Sequence, residues 1–200
     1  MRTVGILIFD DVEVLDFCGP FEVFSVARLP KDDEDFESQL FRAVTIAAEQ
    51  KIVTCIGGLA VQPQFTFADC PKLDLLVVPG GWGTRALVHD RTVIDWISRI
   101  AGQVEITASV CTGAFLLAEA GLLSGLKATT HWGSIERLGK SYPGIEVLSN
   151  KRVVDQGNIV TSAGISAGID MALQLVARLH GQAAAVWTAR RMEYDLQLSK

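Results

Sequence analysis

The sequence predicts an α/β sandwich, a mostly parallel central sheet with helices on both faces, and three observations carry that expectation. Residues 4–9 are an uninterrupted apolar run rich in Ile, Val and Phe, as a strand buried on both faces requires. Along the chain, β-prone runs alternate with segments of helical spacing. Two of those runs end in turns of small residues, at Pro79-Gly80-Gly81-Trp82-Gly83 and at Ala108-Ser109-Val110-Cys111-Thr112-Gly113, which is where an open sheet forms its ligand crevice. Two hundred residues suit one large domain, 1–200, better than two small ones.

Each element has its own local reason. Asp10-Asp11 closes the first strand, and Val14, Leu15, Cys18, Phe21, Val23 and Phe24 then follow helical spacing, with Pro20 accommodated by a break and a fresh start. Residues 31–39 form an acidic insert read as an exposed loop before a strand at 41–48. A hairpin about Gly57-Gly58 joins 52–56 to 59–62, and a buried strand follows at 74–78. Residues 92–100 make a helix with Val93, Ile94, Trp96, Ile97 and Ile100 inward. The stretch 104–123 switches from β-prone to helical at Cys111-Thr112-Gly113. Gly121 and Gly125 bracket a turn into a short strand ending at His131, with a helix over 133–140. Short strands are expected at 146–148, 152–155 and 159–162, the last two joined at Gln156-Gly157-Asn158. The segment 165–178 is a buried helix, Gly181 ends it, and 183–192 is a last helix with Arg190 and Arg191 near its C-terminus. His180 is read as another favourable charge at a helix end.

Composition narrows the function classes. Apolar residues make up 49% of the chain and charged ones 20%, an ordinary globular balance, and the net charge of −5 gives no electrostatic case for nucleic acid. Cys18, Cys55, Cys70 and Cys111 show neither CxxC pairing nor zinc-ligand spacing, so no metal and no disulfide framework are expected, and reduced cytoplasmic thiols fit better. The first apolar run is too short for a signal peptide, and no segment approaches membrane-spanning length.

Cys111 is the candidate nucleophile. A thiol at a strand-to-helix elbow sits beside unpaired helix-terminal amides, whose partial positive charge favours thiolate and could also stabilise an oxyanion. The plain alternative is a buried cysteine serving as a small hydrophobe. Asp16, among Leu15, Phe17, Cys18 and Phe21, is either a partly buried carboxyl with a raised pKa or an N-terminal helix cap. His131 could exchange a proton with the thiol or be structural, and Phe17, Trp82 and Trp132 could line a pocket or fill the core.

Taken together, Asp16 in LDFCGPFEVF, PGGWG at 79–83, ASVCTGAFLLAEAGLL at 108–123 and TTHW at 129–132 resemble the ThiJ/PfpI superfamily over nearly the whole chain. Within its flavodoxin-like, class I glutamine amidotransferase-like three-layer fold, the chain looks most like the isonitrile (isocyanide) hydratase branch and the N-terminal domains of AraC-type regulators. The resemblance implies that Cys111 is the elbow nucleophile and Asp16 the acid whose protonated carboxyl contacts its sulfur. It further implies that Gly81 and Cys111 supply amides around a developing anion with Gly80 beside them, that Thr112 adds a hydroxyl, and that His131 and Trp132 lie nearby. A homodimer is expected, with no cofactor. An amidotransferase triad would need an acid soon after a C-terminal histidine, and His180-Gly-Gln-Ala does not supply it, so glutamine hydrolysis is disfavoured.

Three functions compete. The leading one is a cysteine-dependent hydro-lyase that adds water to a small electrophilic isocyanide through a thioimidate. Glyoxalase or deglycase chemistry on reactive carbonyls would use the same thiol but want a histidine or a second carboxylate in proton shuttling, so that His131 would matter more than Asp16. A redox or ligand sensor would oxidise Cys111 to sulfinate, and with no room for a helix-turn-helix before residue 200 it would need a separate partner.

Overall fold

The computed structural model describes residues 1–29 and 39–196; the acidic stretch of the sequence analysis lies almost wholly outside them. Strands are β1 (Arg2–Leu7), β2 (Phe41–Ala47), β3 (Val53–Thr54), β4 (Ala60–Val61), β5 (Phe65–Thr66), β6 (Leu75–Val78), β7 (Ile106–Val110), β8 (Lys127–Ala128), β9 (Glu146–Val147), β10 (Val153–Asp155) and β11 (Ile159–Ser162). Helices are α1 (Val14–Val26), α2 (Thr84–Leu87), α3 (Arg91–Ala101), α4 (Gly113–Glu119), α5 (Ile135–Ser141), α6 (Ala167–His180) and α7 (Gln182–Arg191).

The main sheet has seven strands in the order β10-β11-β7-β6-β1-β2-β5, parallel throughout except for β10 at one edge. Helices α1, α6 and α7 pack together on one face, while α2, α3 and α4 cover the other. This is the three-layer sandwich with a mostly parallel sheet that the sequence predicts. From β1 the chain steps outward to β2, whereas from β6 it steps the other way to β7. The carboxyl ends of neighbouring β1 and β6 therefore flank a topological switch point, where such sheets open a crevice.

Several local expectations change. Helix α1 does not restart at Pro20 but runs through it: the ring costs the helix one hydrogen bond and is buried against the small Gly168 of α6, where a Cβ would stand 3.4 Å from the ring. The strand expected to end at His131 stops at Ala128 and pairs with β9 in a separate two-stranded ribbon, so His131 instead precedes a short 3-10 turn, Trp132–Ser134. Residues 65–66 add an edge strand that two residues of periodicity could not announce. On α6 the buried side chains are Ala167, Met171, Ala172, Leu173, Leu175 and Val176, while Ile169 and Leu179 of the expected stripe, and Ile165 just before the helix, are only half-buried. His180 is not a charged helix terminus: burial and the Arg2 guanidinium, 3.2 Å from its Nε2, lower its pKa. Among the described residues no helix is long and apolar enough to cross a membrane.

Candidate active site

The elbow is built by backbone. Cys111 follows β7 directly and holds φ at +56°, a left-handed conformation that a side chain-bearing residue adopts only when its surroundings compel it. Three hydrogen bonds do so. The Cys111 N–H donates to the carbonyls of Ser162 and Ala163 at 3.2 and 3.3 Å, and the buried Thr130 hydroxyl donates to the Cys111 carbonyl at 2.7 Å. Gly113 lets α4 press onto β6, since a Cβ there would collide with the Val78 carbonyl and stand 2.8 Å from that of Pro79.

Asp16 comes from the first turn of α1 and is fully buried. Its Oδ2 accepts the Gly80 N–H at 3.0 Å, and its Oδ1 has no hydrogen-bond partner. The cap alternative fails, because the residue preceding the helix is Glu13 and Asp16 binds an amide from another element. Burial pushes the Asp16 carboxyl up to about 7, nearby Glu13 adds to this, and the Gly80 N–H and the Cys111 thiol oppose it.

The thiol behaves differently from the expectation of a ready thiolate. Burial pushes Cys111 up to about 12, and the Asp16 charge adds to it; the Thr112 N–H pulls the other way, as a helix-terminal amide should, but is outweighed. Near neutrality the pair therefore retains a proton on sulfur beside a carboxyl poised to accept it.

Thr112 Oγ1 accepts the Gly81 N–H at 3.0 Å and lies 3.2 Å from the Thr84 hydroxyl, and its own proton has a long contact, 3.3 Å, to the Gly81 carbonyl. That hydroxyl can therefore turn its proton into the site, whereas the amides of Gly81 and Cys111 are both engaged within the protein rather than open to an anion. Gly80 is a spacer as well as a donor: a Cβ on it would stand 2.5 Å from Thr112 N and 2.9 Å from Asp16 Oδ2.

Cys111, Thr112, Gly81, His131 and Trp132 line one cavity of about 290 Å³. His131 Nδ1 accepts the Gly133 N–H at 3.2 Å, so the neutral ring presents Nε2–H, a donor rather than a base. Phe17 belongs to the core, while Trp82 and Trp132, 62% and 81% exposed, stand at the mouth. Other wall residues escaped the sequence reading. Arg85 follows the glycine turn, which is a local signal for it, but Arg137 projects from α5 with none. Gly164, after β11, also escaped it: a Cβ there would lie 2.7 Å from Cys111 Sγ and 2.8 Å from His131 Cδ2. Among the described residues, no group of three or more His, Cys, Asp or Glu side chains is arranged to hold a metal ion.

The model of the DJ-1/PfpI family matches residues 2–178. A Pseudomonas putida isonitrile hydratase is 40% identical over 192 residues, 96% of this chain and 78% of its own length. The Pseudomonas aeruginosa HTH-type transcriptional regulator CdhR is 31% identical over 90% of this chain, which spans 51% of that regulator. A ThiJ/PfpI family protein from Pseudomonas syringae superposes with a TM-score of 0.85 at 31% identity, covering 100% of this chain and 77% of its own. Drosophila melanogaster DJ-1beta shares the fold, with a TM-score of 0.82 at 20% identity over 96% and 98% of the two chains.

Proposed function

The chain belongs to the DJ-1/PfpI family, and from that premise we propose that it is a cysteine-dependent lyase that hydrates a small isocyanide to an N-substituted formamide. The observation that carries the reading is the buried Asp16–Cys111 pair, a thiol next to a carboxyl raised to about 7, while the Nδ1 of His131 is engaged by Gly133. Cys111 sulfur attacks the terminal isocyanide carbon as its proton passes to ionised Asp16. Asp16 then protonates that carbon, completing a thioformimidate, R–N=CH–S–Cys111. Water adds to the same carbon and a proton goes to nitrogen, with Thr112 placed to donate to the developing charge. The C–S bond breaks, the thiol regains its proton, and the formamide leaves. A carboxyl near 7 suits both halves, since it can accept and release a proton without a large penalty in either direction.

Carbonyl chemistry is the second reading, and the engaged Nδ1 of His131 disfavours it because a base is wanted there. An assay panel of an aryl isocyanide, methylglyoxal and glutamine separates the possibilities. Hydration of the isocyanide, lost in Cys111→Ala, is the expected result; turnover of methylglyoxal alone, more sensitive to His131→Ala than to Asp16→Asn, would overturn the reading.

A further inference from the structure

Two arginines share the cavity wall with the thiol, and the proposed reaction uses neither. Arg85 lies with its guanidinium 3.7 Å over the Trp82 ring, and Arg137 lies 4.1 Å over the Phe115 ring. Both also border a second cavity of about 240 Å³ beside Phe115 and Tyr142, so they stand on the partition between the two spaces. Elsewhere Arg2, Arg91, Arg152 and Arg178 each pair with a carboxylate, and among the described residues a few other arginines show no such pair; what sets these two apart is that both face one pocket beside the nucleophile.

Among the described residues neither Arg85 nor Arg137 makes an ion pair or a side-chain hydrogen bond. Of the nearby acids two are paired, and Glu13 has no side-chain partner among the described residues, though it forms no ion pair with either arginine. Glu13 lines the same cavity and acts on Asp16, Glu119 accepts the Tyr142 hydroxyl at 2.8 Å, and Glu136 pairs with Lys140. A guanidinium stacked on a ring face keeps its in-plane N–H donors at the edge, and two such forks match the planar oxygens of a carboxylate. Bringing two cations together is unfavourable without an anion between them; burial, and then the charge of Arg85, lower the Arg137 pKa. At about 290 Å³ the cavity lies at the small end of ligand pockets, so a molecule that fills it shares its walls with the thiol and both arginines.

We infer that the substrate is a small electrophile carrying one carboxylate, which Arg85 and Arg137 hold while the electrophilic carbon meets Cys111. This rests on the isocyanide-hydrating reading for its chemistry: the S–C bond forms, the thiol proton reaches carbon through Asp16, water supplies the oxygen, and the carboxylate leaves unchanged. The substrate is then an isocyanocarboxylate and the product an N-formyl amino acid.

Two matched pairs of probes test it, one needing turnover and one not. Isocyanoacetate and methyl isocyanoacetate differ in charge at the carboxyl, and iodoacetate and iodoacetamide differ likewise as alkylators of Cys111. For the wild-type protein, kcat/KM should favour isocyanoacetate over its ester by at least about tenfold, chiefly through KM, as a charge-assisted contact implies. The iodoacetate-to-iodoacetamide rate ratio at Cys111 should exceed that of free cysteine by a similar factor. Both preferences should fall in Arg85→Gln and Arg137→Gln and approach unity, relative to free cysteine for the alkylators, in the double variant. If no isocyanide turns over but the iodoacetate preference persists, the lyase reading fails and the carboxylate subsite stands. If the ester is the better substrate and no iodoacetate preference exists, the subsite is wrong while hydration stands. A Cys111 that neither alkylator modifies, or preferences that survive the double substitution, overturn it as well.

Discussion

At the scale of single residues, the site depends on where one proton resides. Asp16, ordinarily near 3.8, is raised to about 7 in the fold, so the native state holds its proton more tightly than the unfolded chain. For a raised carboxyl the sign follows directly: stability from this group is fully present below 3.8, declines as pH rises, and is lost above about 7. The difference approaches roughly 4 kcal/mol as an upper bound. Asp16→Asn, which cannot ionise, should therefore gain stability relative to the wild type between pH 5 and pH 8 in urea melts at the two values. Its turnover should fall by about two orders of magnitude or more, as loss of a general acid–base group implies, while iodoacetamide still labels the thiol. The wild-type kcat/KM should rise through about pH 7 as Asp16 ionises, and this limb should vanish in the variant. Gly164 matters for space alone. Gly164→Ala puts a methyl 2.7 Å from Cys111 Sγ, so the thiol should be alkylated at least about tenfold more slowly in a protein whose circular dichroism is unchanged.

Among the elements, the elbow between β7 and α4 combines strain with close packing. Gly113→Ala would drive a methyl into the carbonyls of Val78 and Pro79, backbone atoms of a central strand that cannot step aside, and should cost about 3 kcal/mol, the upper end of overpacking. Gly125→Ala, at φ +74° with nothing within 4 Å, meets only the left-handed backbone penalty of about 1 kcal/mol. Guanidinium melts of the two variants give the comparison, and equal losses would mean that the approach of α4 to β6 is not tight. The elbow was readable in the sequence because strand, cysteine, small residues and helix follow one another within twenty residues or so. Passage of α1 through Pro20 was not, since it depends on Gly168 in a helix nearly 150 residues later.

For the whole molecule, topology gathers the site. Residues from the start of α1, the ends of β6 and β7, the loop after β11 and helix α5 converge at the switch between β1 and β6. Family resemblance leads us to propose that two chains associate; light scattering across a wide concentration range should return twice the mass of one chain, and a constant single-chain mass would reject it. The chain spans about half the length of regulators such as CdhR, so this fold also serves proteins with other business than catalysis, and the isocyanide assay bears directly on which applies here.

What the sequence alone determined was everything encoded within a short span: alternating strands and helices, the cysteine at its elbow, the glycine turn at 79–83, and the motifs that place the chain in its family. Such features follow from local sterics and from side-chain periodicity, which neighbours along the chain suffice to express. Only the tertiary structure decided the rest. The Asp16 carboxyl meets the Gly80 amide across 64 positions, which separates a buried acid from a helix cap; Arg85 and Arg137 become neighbours, His131 turns its acceptor nitrogen to Gly133, and Gly164 leaves room above the sulfur. Protonation and pocket chemistry depend on burial and on charges close in space, and those distances exist only once the chain has folded.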